Sequence, residues 1–171
     1  SDDIYEHVKF DNFKFFTIAQ IKKLKDRTLT MNGVSKAYAM TGWRIGYAAG
    51  PKNIIAAIRK IQSQSTSNPS SISQAAAVEA LNGTQSFIKK RAKSFSDRRK
   101  FVVNYLNSIT GITCLMPKGA FYVFPSCKGL IGKTTKIKND TDFVQKLLEK
   151  QNVAVVQLSL IHISEPTRPS Q

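Results

Sequence analysis

The sequence has 171 residues, 42% of them apolar and 22% charged, and its 26 lysines and arginines against 11 acidic residues leave a formal charge of +15 at pH 7. Those proportions exclude a disordered or fibrous chain. No apolar stretch approaches the roughly 18 residues needed to cross a bilayer, the Ser-Asp-Asp start has no signal-peptide pattern, and two cysteines, Cys114 and Cys127, fit a reducing, cytoplasmic setting without disulfides or a zinc site.

In chain order, Thr28 to Val34 is rich in β-branched and apolar residues and reads as a strand, followed by a polar loop at Ser35-Lys36. Arg44 to Ala49 reads as a second strand. Gly50-Pro51 then opens a helix whose Ile54, Ile55, Ile58 and Ile61 recur along one face. A polar loop from Gln64 to Ser73 leads into helical patterning from Ile72 to Leu81, which Asn82-Gly83 ends. A long helix is expected from about Thr84 to Ser108. Two apolar runs, Ile112 to Met116 and Ala120 to Phe124, flank Pro117-Lys118-Gly119 as the arms of a hairpin do. After the Lys128 to Asn139 loop, Asp140 or Thr141 is placed to cap a helix reaching Lys150, with Val153 to Val156 behind it as a buried strand. Strands alternating with helices give an α/β or mixed layered fold.

A charge of +15 raises the question of a nucleic-acid partner, and its distribution answers it better than its total. Lys89, Lys90, Arg91, Lys93, Arg98, Arg99 and Lys100 lie between Phe87, Ile88, Ala92, Phe95, Phe101, Val102, Tyr105 and Leu106, which recur at helical intervals. That is the pattern of a solvated helix face, which is favoured, with a basic nucleic-acid-binding surface as the alternative reading. Phe121, Tyr122 and Phe124 read as core residues of the hairpin, not as a base-stacking platform. His7 beside Glu6 reads as a surface residue, and no histidine cluster suits a metal. Gly42, Gly46 and Gly50 match neither a dinucleotide nor a P-loop spacing.

The segment Asn32 to Gly50 carries the chemistry. It sets a lysine, Lys36, in a small-residue loop after a strand, and an arginine, Arg44, eight residues later. A lysine in a partly apolar pocket can attack a carbonyl, and an arginine fork captures a phosphate or carboxylate. As an isolated spacing, the pair fits a surface lysine and an ion-paired arginine better.

The whole segment is more specific. Gly33-Val34-Ser35-Lys36 and Met40-Thr41-Gly42-Trp43-Arg44-Ile45-Gly46 resemble the pyridoxal-phosphate attachment site of the class I/II (fold-type I) aminotransferases, in the family's order and without a gap. The resemblance continues through Asp2 to His7, Gln62 to Leu81, Gly119 to Tyr122 and Val153 to Val156, and within the family it is strongest to bacterial-type aspartate aminotransferases. It implies Lys36 as the catalytic Schiff-base lysine, Arg44 and Ser35 on the cofactor phosphate, Asp2 on the pyridine nitrogen and Tyr5 on the ring oxygen. Gly33 stands where many relatives have a further serine. Asp2-Asp3 leaves a register ambiguity that the spacing to Tyr5 resolves toward Asp2.

The resemblance further implies amino-acid and 2-oxo-acid substrates, a homodimer, and neither nucleic acid nor membrane as partner. It divides the chain into 1–83, part of a three-layer α/β/α large domain; 84–157, a bridging helix and most of an α+β small domain; and 158–171, a non-native tail. From Leu158 to Arg168 that tail is similar to a translated library adapter. Relatives are expected to be about twice as long, with a ring-stacking aromatic upstream and a carboxylate-binding arginine downstream, so this stretch alone is expected to be inactive.

Overall fold

The computed structural model describes residues 1–132 and 137–158; the expected tail falls almost wholly outside the described residues. Two short strands, β1 (Thr30–Gly33) and β2 (Gly46–Ala49), pair antiparallel with Gly33 opposite Gly46. The N-terminal segment runs along the other edge of β1: Asp2 pairs in parallel with Met31, and the amide of Asp3 donates to the Met31 carbonyl at 2.8 Å. Three helices follow, α1 (Lys52–Ser65), α2 (Ser71–Asn82) and α3 (Ser86–Asn107). Each lies close to its expected span. Gly83 ends α2 by donating to the Glu79 carbonyl at 2.7 Å, and Pro51 stands just outside α1 in an extended conformation, where its missing N–H costs nothing.

The chain forms two compact units, the first Ser1–Arg99 with Pro117–Tyr122, the second Lys100–Met116 with the described residues from Val123 onward. The division runs through α3, the expected bridging helix. In the first unit, fully buried Val34 clusters with Ile45 and Ala77, and Tyr38 and Met40 pack against them. In the second, Val103 and Cys114 are buried. There, Asn107 at the end of α3 brackets the backbone of Cys114, accepting from its N–H at 2.7 Å and donating to its carbonyl at 2.9 Å. The Gly111 turn (φ +88°) presses against the Lys128–Leu130 turn so closely that a Cβ on Gly129 would stand 2.6 Å from the Gly111 Cα.

Three expectations change. The hairpin pairs β3 (Thr113–Cys114) with β4 (Pro125–Ser126), farther from Pro117-Lys118-Gly119 than the apolar runs suggest, because Gly119 and Ala120 are bonded instead to Lys9 and Val8. The helix α4 (Asp140–Gln151) is capped by Asn139, whose side chain accepts from the Asp142 N–H, and not by Asp140 or Thr141. Val153 to Val156 is not a strand, and Val153, Val155 and Val156 are exposed. The isoleucine stripe of α1 is likewise exposed at Ile54, Ile58 and Ile61. Among the described residues no helix is long and apolar enough to cross a membrane.

Candidate functional site

The connection from β1 to β2 carries Ser35, Lys36 and Arg44, and its shape follows from Val34. The N–H of Val34 donates to the Ile45 carbonyl and its own carbonyl accepts from Met40, both at 3.3 Å, so the loop is pinned at its base by a buried residue. Ala39 and Arg44 close it with φ of 52° and 54°, left-handed conformations that cost a non-glycine residue energy and persist only where surrounding contacts impose them. Gly33 sits where a Cβ would come within 3.0 Å of the Ile45 carbonyl oxygen.

Lys36 is half-buried and has no carboxylate partner among the described residues. Its Nζ lies 5.8 Å from the centroid of the Tyr5 ring and 5.6 Å from that of Phe121, within reach of cation–π attraction. The rings form a cluster: Tyr5 meets Phe121 and Tyr122 edge-on at 5.4 and 5.7 Å, and Phe121 stacks on Phe95 at 5.4 Å. The Tyr5 hydroxyl donates to the Tyr122 hydroxyl at 2.8 Å. Partial burial, that hydrogen bond and the charges of Tyr122 and Asp2 push the Tyr5 phenol well above the ordinary tyrosine range, so it stays a donor.

Of the residues expected from the sequence, Lys36 and Tyr5 are therefore brought together. Asp2 is exposed, accepts from the Ile4 N–H at 3.1 Å and acts electrostatically on Tyr5. Asp3, the alternative register, is buried and takes a 2.7 Å hydrogen bond from the Ser1 hydroxyl, which gives it a structural role. Ser35 shares the loop, and its hydroxyl has no hydrogen bond among the described residues. Arg44 is exposed, with one guanidinium N–H on the Thr41 carbonyl at 2.9 Å. No metal-holding group of histidine, cysteine and carboxylate residues occurs among the described residues.

Three residues escaped the sequence reading. Phe121 and Tyr122 are not core but exposed, at 41% and 58% accessibility, Phe121 beside Lys36 and Tyr122 against Tyr5. Arg99 is not solvated: its side chain is 4% exposed and ion-paired to Asp11 at 2.8 Å. It lies four residues from Phe95 and four from Val103, so the same helical period that marked the apolar face contained it. Phe101 and Tyr105, counted on that face, are exposed instead.

The site can be tested against a cofactor that carries an aldehyde, a phosphate and an aromatic ring. A half-buried amine with no anion beside it, a free hydroxyl and an arginine in the same loop, and a phenol held protonated supply a donor for each of those groups. The set fits pyridoxal phosphate.

The family model for class I and II aminotransferases matches residues 1–170. An aspartate aminotransferase of Rhizobium meliloti (strain 1021) is 58% identical over 168 residues, covering 95% of this chain and 41% of that protein. A probable aspartate/prephenate aminotransferase of Rhizobium leguminosarum is 60% identical over 161 residues, covering 91% and 40%. Among solved structures, the aspartate aminotransferase of Rhizobium meliloti superposes with a TM-score of 0.88 at 59% identity over 92% of this chain and 40% of that one. The aromatic aminotransferase of Pyrococcus horikoshii gives 0.80 at 37% identity over 91% and 40%. The chain spans about two fifths of the length of these relatives.

Proposed function

The chain belongs to the class I and II aminotransferases, and on that premise we propose that it carries the cofactor-holding part of a pyridoxal-phosphate-dependent transaminase, with Lys36 as the residue that joins the cofactor. The observation that carries the reading is the amine of Lys36, half-buried, without a carboxylate partner among the described residues, and set between the rings of Tyr5 and Phe121. A lysine held so has no structural partner to satisfy and is left free to act as nucleophile.

Each remaining residue has a distinct task. Arg44 and the Ser35 hydroxyl would hold the phosphate, the arginine through its fork. Tyr5, kept protonated, would donate to the ring oxygen. Asp2 would hold a proton on the pyridine nitrogen. When bound, the cofactor supplies an electron-withdrawing ring beside the substrate Cα. Once the substrate amine has displaced it from the cofactor, Lys36 Nζ would take the proton from that carbon and deliver it to the cofactor C4′ carbon, as general base and then acid. Substrates are proposed to be aspartate and 2-oxoglutarate, with oxaloacetate and glutamate as products, in a cytoplasmic homodimer. The division into large-domain residues 1–83 and small-domain residues 84–157 is part of the same proposal.

The test is chemical. Incubation with pyridoxal phosphate and reduction with borohydride should fix the label on Lys36, read by peptide mass spectrometry. A dominant label on any other lysine overturns the reading. The competing basic-surface reading has lost ground, since Arg99 is buried on Asp11 and Arg91 is spent on a backbone carbonyl; it predicts nucleic-acid affinity that falls steeply with salt and ignores Lys36→Ala.

A further inference from the structure

The two rings beside Lys36 come from separate stretches of chain. Tyr5 stands on the N-terminal segment, whereas Phe121 and Tyr122 stand on a strap, residues 117–122, that belongs to no strand. The strap is laid against the N-terminal segment by backbone bonds, Ala120 N–H to the Val8 carbonyl at 2.7 Å and Phe10 N–H to the Lys118 carbonyl at 2.9 Å. Its Ala120 is left-handed, with φ of 58°.

The helix α3 reaches both walls of this slot. Arg99 donates from Nη1 to the Pro117 carbonyl at 2.7 Å and from Nη2 to Asp11 at 3.0 Å and to the Ser96 hydroxyl at 3.3 Å. Its guanidinium covers the Phe10 ring at 4.5 Å. Eight residues earlier, Arg91 donates to the carbonyl of Ala37, the neighbour of Lys36, at 3.0 Å and lies over Phe87 at 5.2 Å. A guanidinium that donates to a main-chain carbonyl while seated on an aromatic face fixes backbone position; at Arg99, which holds a carbonyl, a carboxylate and a hydroxyl at once, a lysine, a point charge with no fork, cannot keep the same geometry. The two anchors lie about 12 Å apart along a rigid helix.

We propose that Arg91 and Arg99 are positioning residues that set the width of the aromatic slot around Lys36, Arg91 by tying the Lys36 loop to α3 and Arg99 by tying the Phe121-Tyr122 strap to the same helix. The proposal rests on the reading of Lys36 as the cofactor-joining lysine. Neither arginine touches the reacting groups; each acts through the segment it holds.

The experiment compares the wild-type chain with Arg91→Met, Arg99→Met and Arg99→Lys. Each is treated with pyridoxal phosphate and borohydride, and the label on Lys36 is divided by that on Lys60, an exposed lysine of α1. Amide hydrogen exchange is followed in parallel at residues 117–122 and in α1. Either methionine variant should lower the Lys36 to Lys60 ratio about tenfold, within the range expected of a misplaced reacting group. Arg99→Met should speed exchange at 117–122 while leaving α1 unchanged, and Arg99→Lys, which keeps a positive charge beside Asp11 and so gives a second, gentler variant of the same anchor, should recover the ratio only in part. An unchanged ratio overturns the proposal, as does one that falls only where exchange rises equally in α1. A wild-type label on another lysine overturns the Lys36 reading and the positioning roles with it.

Discussion

The loop between β1 and β2 and the inward face of α3 both serve Lys36, yet they are built on opposite terms. The loop holds its chemistry in consecutive residues, Ser35-Lys36 and Met40 to Gly46, and fixes them with main-chain bonds to one buried valine. The helix holds its contribution in residues four and eight apart, Arg91, Phe95 and Arg99, and fixes it with side-chain forks. Local order therefore presents the reactive groups, and long-range order spaces them. The first survives changes in the surroundings; the second depends on every partner of each fork.

That contrast can be broken experimentally, beginning where the effect is greatest. Lys36→Ala should remove the dominant borohydride-fixed label and leave only the background on exposed lysines such as Lys60, with circular dichroism unchanged; a label moving intact to a neighbouring lysine would dissolve the loop's special status. Arg99→Leu should cost about 2 to 3 kcal/mol in urea denaturation, below the full penalty for breaking a buried ion pair because Asp11 is 58% exposed and stays solvated. A loss under about 0.5 kcal/mol, the usual scale of a surface substitution, would reduce Arg99 to an ordinary surface charge. Gly33→Ser, which would add a hydroxyl at the end of β1, should cost about 1 kcal/mol because its Cβ meets backbone at 3.0 and 3.4 Å; thermal denaturation checks it.

Two milder tests sharpen the same contrast. The Tyr5 phenol is more easily kept protonated in the fold than in the unfolded chain. Its share of stability is complete below the ordinary tyrosine value of about 10 and is lost as pH climbs through the higher folded value. Near pH 10 the phenolate absorbance of wild type and Tyr5→Phe should coincide, and a difference of about half a tyrosine, which an ordinary phenol gives there, would contradict the raised phenol. On the outer face of α3, Lys93→Ala should change stability by less than about 0.5 kcal/mol, since its pair with Asp97 is 79% and 61% exposed.

How much of this was legible in the sequence follows from the same distinction. The helices were readable because turn residues punctuate them, as Asn82-Gly83 does at the end of α2. The loop was readable because its motif is contiguous. Tyr5 could be matched by spacing, but its hydroxyl partner lies 117 residues away, and no local pattern encodes that distance. The hairpin arms were misjudged because apolar runs give strand character and not register: Gly119 and Ala120 bond to Lys9 and Val8, and the pairing moves out to Ser126. Arg99 was misjudged by composition alone, since a charged residue on an apolar period reads as surface until its partners are known.

The contact between the Gly111 turn and Gly129 bears on how this chain can vary. With two main chains meeting, the first side-chain carbon at position 129 has no volume to enter, and the Gly111 Cβ would itself strike Leu130 at 2.7 Å. A side chain at position 129 cannot be offset by trimming the Gly111 turn, because what it would strike there is main chain. The end of α3 and the turn at 128–130 are thus constrained to drift together: an insertion or a bulkier residue in either must move a whole segment of backbone. Homologous chains should change length around these two turns in concert or not at all.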